Sequence, residues 1–280
     1  MKIDINNLRR FISYQSVDNN PYGNQQAIEF VIDKLSSMGF SFRIEGGDLT
    51  DQPCIIGHFP GRSSSKKIVL YGHYDVAPIR AEEKWQSQDP FSIEIIGDRC
   101  FARGVADNKG PLLARLEAVS ELMKTDQAIP EILWLIQGEE EVVVAERVAK
   151  KIFLHEISQF GGSVFVDETG FNDIDNNQQV IFLWSPKHSE KSLVQWHSFL
   201  NRIFDNSRIE YRHLNKLTGA RGCPLLAGLP EGAIYIGFGP NDKLHQIHRE
   251  NESLNLEKMD FHKKNFKEFL SQFAKYSCHE

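Results

Sequence analysis

Two residues of metal-binding type, His73 and Asp75, stand two positions apart after the apolar run Ile68-Val69-Leu70 in the segment IVLYGHYDVAP. That run carries β-branched residues and is bounded by Gly72, so it reads as a buried strand. On a strand, residues i and i+2 share a face, which lets the two side chains meet. An imidazole ligates a metal well when a carboxylate or carbonyl holds its other ring nitrogen, fixing the tautomer and raising basicity. Asp107, in FARGVADNKGP, stands just before Gly110 and a helical pattern that starts near Leu112. A carboxylate in such a turn can reach a strand-end site and bridge two ions with its two oxygens. Further ligand-type residues follow later apolar strands: Glu139, Glu140 and Glu141 after 132–136, and Asp167 after 163–166. Taken singly, a histidine after a strand is usually a satisfied surface or core residue, and a glutamate run at a helix start is usually a solvated cluster. Three strands delivering such residues to one edge is another matter. In open α/β sheets, ligands bind outside the carboxyl ends of the strands. A last histidine would be His245 or His248 in GPNDKLHQIHRENE, and spacing alone does not separate them.

The elements that must position these residues follow from periodicity. Helices are expected over 5–13 and 24–38, where Ala27, Phe30, Val31, Leu35 and Met38 share one face, with Pro21 and Gly23 separating the two and Gly39 stopping the second. Strands are expected over 41–45, 54–58 and 68–71, and 81–98 reads as loop, with Asp89-Pro90 as a turn marker. A helix over 112–124, a strand over 132–136, a helix over 142–153 and a strand over 163–166 follow. Beyond them come a strand over 180–184, a helix over 190–204, strands over 208–212 and 233–238, and a closing helix over 256–275. Alternating strands and helices predict an α/β fold, a three-layer sandwich with a mostly parallel central sheet. With no internal repeat, low-complexity tract or long linker, residues 1–280 read as one domain.

Composition limits the functions open to this chain. Its 280 residues suffice for a substantial core, and a hydrophobic content of 41% is ordinary for a globular protein. A net charge of −6 offers no basic excess to neutralise phosphates, so nucleic acid is not an expected partner. The four cysteines, Cys54, Cys100, Cys223 and Cys278, form no CxxC pair, which implies neither a zinc knuckle nor a disulfide framework. The start MKIDINNLRRF lacks the apolar core of a signal peptide, and no run approaches the roughly 18 apolar residues of a membrane span. The expectation is a soluble, cytoplasmic protein.

The motifs together resemble the cocatalytic dizinc metallopeptidase family of carnosinase, cytosolic dipeptidases, aminoacylase and succinyl-diaminopimelate desuccinylase. That family carries HxDVxP, an RGxxDxKGP turn, a paired EE after a strand, a lone Asp after the next strand, and HxxNE near the C-terminus. Here GHYDVAP, ARGVADNKGP, GEEE, VDE and HRENE stand in that order, and KWQSQDPFS is similar to a further W…DPF segment. The likeness covers about 1–170 and 218–275, and its wording leans towards the carnosinase branch. It implies a phosphorylase/hydrolase-like zinc-peptidase catalytic domain. His73 would bind one metal with Asp75 orienting it, Asp107 would bridge both ions, Asp167 would complete the first site, and His248 would join Glu141 on the second. Glu140 would then be the general base, with Glu139 an extra acidic neighbour. A frame one residue earlier, Glu139 as base and Glu140 as ligand, is the alternative. The resemblance implies two divalent ions that generate hydroxide near neutrality and polarise the scissile carbonyl of a small peptide or N-acyl amino acid. Histidine and carboxylate ligands without thiolate suit zinc and tolerate cobalt or manganese.

One departure from the family pattern matters. Relatives commonly carry a lid or dimerisation domain between the lone Asp and the final His, and the 80 residues between Asp167 and His248 are too few for one beside the elements read there. The lid is therefore expected to be absent, and with it the groups that grip the substrate carboxylate and the oxyanion. A monomer, or a dimer unlike the family's, follows. Arg212, His213 and Arg221 are candidate substitutes. Arg221, in TGARGCP, is preferred because a glycine-rich turn lets a ligand approach closely. Two other functions stay open: a dedicated deacylase of a biosynthetic pathway, and a non-catalytic metal- or peptide-binding relative. Against the latter, a binding module has no need of a general base beside its ligands.

Overall fold

Alternation along the strands divides the core in two. The computed structural model describes residues 2–47, 51–142, 148–186, 190–211 and 229–276. β3 (Lys67–His73), β6 (Glu131–Gln137), β7 (Val164–Asp167) and β11 (Ile234–Gly237) run parallel at the centre of a nine-stranded sheet. Ile68 and Leu70, Trp134 and Ile136, Val164 and Val166, and Ile236 face one core; Val69, Leu133, Leu135, Phe165 and Tyr235 face the other. Such period-two burial on both faces is what a sheet covered on both sides requires. Outward from β6, β2 (Cys54–Phe59) and β1 (Ser41–Glu45) pair antiparallel. Beyond β11, β9 (Gln178–Trp184) runs antiparallel to it, β10 (Ser207–Tyr211) lies parallel to β9, and β8 (Phe171–Asp173) pairs with β9. The interval after Asp167 thus contributes strands to the central sheet.

One face is covered by α1 (Ile5–Ser13), α2 (Pro21–Ser37), α3 (Lys109–Met123), α5 (Glu190–Ile203) and α6 (Leu256–Ala274), the other by α4 (Val148–Phe160). In α3, 11 of 15 residues are buried, and the polar residues left at the surface, Glu117, Ser120 and Glu121, share one narrow stripe at i, i+3, i+4 spacing. A small sheet of β4 (Glu94–Ile96), β5 (Arg99–Phe101) and β12 (Ser253–Asn255) ties the loop before α3 to the segment before α6.

The structure corrects three local expectations. Pro21 opens α2 at its first turn instead of separating two helices, because a missing N–H costs nothing there and Asn20 accepts from the Gly23 N–H as cap. Residues 94–96, expected as loop, pair with β5; strands of three residues are too short to show a period. The helix expected over 142–153 is described at Val148–Phe160, with the Ala149 N–H at its start donating to Glu139 Oε1 at 3.0 Å.

Candidate metal centre

Parallel register brings the strand ends together: His73 lies opposite Gln137, and Asp167 closes β7 beside Gly237. His73 and Asp75 are buried, and Nδ1 of His73 lies 3.1 Å from the Asp75 carbonyl oxygen and 3.2 Å from Oδ1. With Nδ1–H donated to Asp75, Nε2 carries the lone pair that a metal needs. Asp75 Oδ2 accepts the Glu141 N–H at 2.8 Å, so one buried carboxylate orients both a histidine and the start of the glutamate loop.

Asp107 stands between two imidazoles. Its Oδ1 is 2.9 Å from His73 Nε2 and its Oδ2 is 3.1 Å from His248 Nε2, which also lies 2.8 Å from Glu141 Oε1. Asp107, Glu141 and His248 converge with ligand atoms all within 4.8 Å of one another. His248 adopts φ 59°, a left-handed conformation that costs a residue with a β-carbon about 1–2 kcal/mol and is held by the HRENE turn.

The two neighbours of Glu141 have different surroundings. Glu139 is buried and receives the Ala149 N–H, whereas Glu140 is partly exposed and lines a cavity of ≈ 540 Å³ with His73, Asp107, Asp167 and His248. Asp167 is fully buried, and its Oδ1 accepts from Tyr235 OH (2.6 Å), Thr169 Oγ1 (2.7 Å) and the Thr169 N–H (3.0 Å). Its Oδ2 is buried without a hydrogen-bond partner in the structure. A desolvated carboxylate oxygen left this way is costly unless a cation or a proton meets it, and the candidate ligands His73, Asp107, Glu141, Asp167 and His248 are all imidazole or carboxylate, which fits divalent ions. Asp167 is nonetheless not part of a triad as close as that of Asp107, Glu141 and His248.

The groups at this centre favour protonation. Burial opposes charge on His73, but its contacts with Asp107 and Asp75 raise its pKa well above the usual imidazole value. Hydrogen bonds to Asp107 and Glu141 raise that of His248 to about 10. Burial raises Glu141 to about 7 and Glu168, beside Asp167, to about 8. A metal entering this site must displace protons, so its affinity falls on acidification.

Several supporting residues carried no assigned role in the sequence. Glu252, the last residue of HRENE, accepts the N–H groups of Ala106 (2.9 Å) and Asp107 (3.1 Å) on Oε1 and Arg103 Nη1 (3.0 Å) on Oε2. Arg103 also grips Glu83 through Nη2 and sits 5.3 Å from the Trp85 ring centroid. The ARG, W…DPF and HRENE segments are therefore one device that fixes the backbone of Asp107, and the motif spacing was its signal. Gly104 belongs to it: at φ +81° a β-carbon would stand 2.3 Å from Val76 Cγ1. Removing the buried Glu252 by substitution with alanine should cost about 3–5 kcal/mol, read from urea denaturation of the zinc-free protein, because Arg103 loses one carboxylate and two N–H groups lose their acceptor. Arg115, on the buried side of α3, donates to the carbonyl oxygens of Tyr71 (3.3 Å), Asp167 (2.6 Å) and Phe238 (2.9 Å), clamping three strand ends under the site. No local pattern marks it. Arg212, His213 and Arg221 lie outside the described residues.

The profile of Peptidase family M20/M25/M40 matches residues 69–272. Beta-Ala-His dipeptidase of Rattus norvegicus is 31% identical over 110 residues, 38% of this chain and 22% of the relative. Cys-Gly metallodipeptidase dug1 of Schizosaccharomyces pombe is 27% identical over 150 residues, 49% of this chain and 31% of the relative. The matched stretches thus span less than a third of either relative. Among solved structures, the M20 family metallo-carboxypeptidase Sso-CP2 from Sulfolobus solfataricus superposes with a TM-score of 0.78 at 13% identity, over 99% of this chain and 100% of that one. At that identity the likeness is one of fold, an α/β sandwich of the kind the strand and helix order predicts. No helix among the described residues is long and apolar enough to cross a membrane.

Proposed function

The chain belongs to peptidase family M20/M25/M40, and on that premise we propose that it is a metal-dependent hydrolase of the amide bond in a small peptide. The observation that carries this reading is the division of the Asp107 carboxylate, one oxygen to His73 and the other to His248. Such a carboxylate is built to be shared by two cations. We assign His73, Asp107 and Asp167 to one divalent ion and Asp107, Glu141 and His248 to the other, with zinc best matched by the donors. When bound, the ions supply Lewis acidity and lower the pKa of water.

The protein's own groups do the rest. Asp75 holds His73 with Nε2 facing Asp107. Glu140, on the cavity wall, accepts a proton from the attacking water and returns it to the leaving amine. The anchoring of Glu139 at Ala149 and the contact of Glu141 with His248 support this frame over the one that makes Glu139 the base. The joining of β9 and β10 to the central sheet supports reading residues 1–280 as one catalytic domain without an inserted lid. Substrate selection then falls to the segment that stands in the lid's place, and we assign Arg221 to the substrate carboxylate. Arg221→Ala should lower kcat/KM about tenfold, equal to about 1.4 kcal/mol, with metal content unchanged. N-acyl amino acids are the second substrate class. The deciding experiment is a hydrolysis screen of dipeptides and N-acyl amino acids with zinc, cobalt or manganese added. Metal-dependent release of amino acid is expected, and its absence across the panel with metal bound would favour a binding role.

A further inference from the structure

His245 lines the same cavity as His73, Asp107, Glu140 and His248, and none of the roles above uses it. Its Nδ1 accepts the Ile247 N–H at 2.9 Å. A ring nitrogen that accepts a hydrogen bond carries no proton, so the neutral ring carries its proton on Nε2. Nε2 has no hydrogen-bond partner among the described residues, and the ring's partly buried position lowers its pKa, which keeps it neutral. The backbone around it is pinned: His245 N donates to Asp242 O at 3.2 Å, and Ser253 N donates to His245 O at 2.8 Å. Asp242 is itself held by Arg99 through contacts of 2.7 and 3.1 Å. The neighbouring cation on the cavity wall, Lys243, is paired with Asp175. His245 is therefore a fixed, neutral N–H donor in a cavity whose other named side chains are mainly acceptors and ligands.

We propose that His245 is a catalytic residue that donates through Nε2–H to the substrate's carbonyl oxygen as that oxygen becomes an oxyanion. This rests on the peptide-hydrolase reading. In the step, the water oxygen bonds to the carbonyl carbon, its proton passes to Glu140, and the carbonyl π pair moves onto the oxygen that faces His245. The imidazole keeps its proton throughout. When the C–N bond breaks, the pair returns to re-form the carbonyl, and the amine leaves with the proton held by Glu140. A donor fixed in place beforehand is worth most where charge develops, because no reorganisation is needed at that moment.

The test has two independent readouts. Long-range ¹H–¹⁵N spectra should show His245 as the Nε2–H tautomer; an Nδ1–H tautomer overturns the assignment. On a substrate that the wild type cleaves, His245→Ala should lower kcat on the order of 10²–10³-fold with KM and zinc content unchanged. His245→Gln, whose amide nitrogen can stand in for Nε2, should recover at least tenfold of that. A wild-type kcat in the alanine variant, or a change in KM alone, overturns the proposal. Binding of a phosphinate dipeptide analogue to the zinc-loaded protein, by calorimetry, separates the two readings. If the wild type cleaves nothing yet His245→Ala weakens phosphinate binding at least tenfold, the donor role stands and the peptidase reading fails. Unchanged phosphinate affinity overturns the donor role.

Discussion

Glu140→Gln should leave both metals in place and lower turnover by on the order of 10²–10⁴, the range a positioned general base contributes. The substitution keeps the shape of the side chain and removes its capacity to accept a proton. It leaves Asp107, Glu141 and His248 untouched, so zinc content measured by elemental analysis should match the wild type. The adjacent substitutions discriminate. Glu141→Gln takes a carboxylate from His248 and should weaken metal binding, whereas Glu139→Gln disturbs the anchor at Ala149, and its effect should be on stability. Loss of turnover with Glu139→Gln and loss of metal with Glu140→Gln would move the frame one residue earlier.

Asp107→Asn should weaken both metal sites at once. The amide is neutral and presents one acceptor oxygen and one NH₂ group, so one side loses its oxygen and the other keeps an uncharged oxygen in place of a carboxylate; both the His73 and the His248 sides are weakened. Loss of an outer partner of a metal ligand typically costs 10–100-fold in affinity, and loss of a shared ligand should exceed that at each site. Competition with a chromophoric chelator measures it. Weakening at one site alone, with the other at wild-type affinity, would show that Asp107 serves a single ion.

The site residues most easily read from the sequence lie where periodicity is simple. His73 and Asp75 were read together from the two-residue repeat of a strand; β3 ends at His73, and Asp75, just past it, still meets the ring through its carbonyl and carboxylate oxygens. Asp107 and Asp167 are marked by the glycine-rich turn and the strand end they follow. The glutamate run was harder, since three consecutive acids in a loop have no period. What separates them is three-dimensional: an N–H at Ala149 for Glu139, the cavity for Glu140, His248 for Glu141. Choosing His248 over His245 required a motif, and the distinct character of His245 emerged only from its hydrogen bond with Ile247. Arg115 shows the limit. One charged residue among several on a helix gives no hint in sequence that it caps three strand ends. Tyr235 is similar, because its hydroxyl meets Asp167 across 68 residues of chain.

A dinuclear centre is decided by the number of divalent ions that the chain binds. Zinc-free protein should be titrated with zinc against a competing chelator, with elemental analysis of the filtered complex alongside. Two equivalents per chain are expected in the wild type, the weaker one included, with marked weakening of both in Asp107→Asn. Saturation at one equivalent, with no second ion bound at excess zinc, would contradict a dinuclear centre.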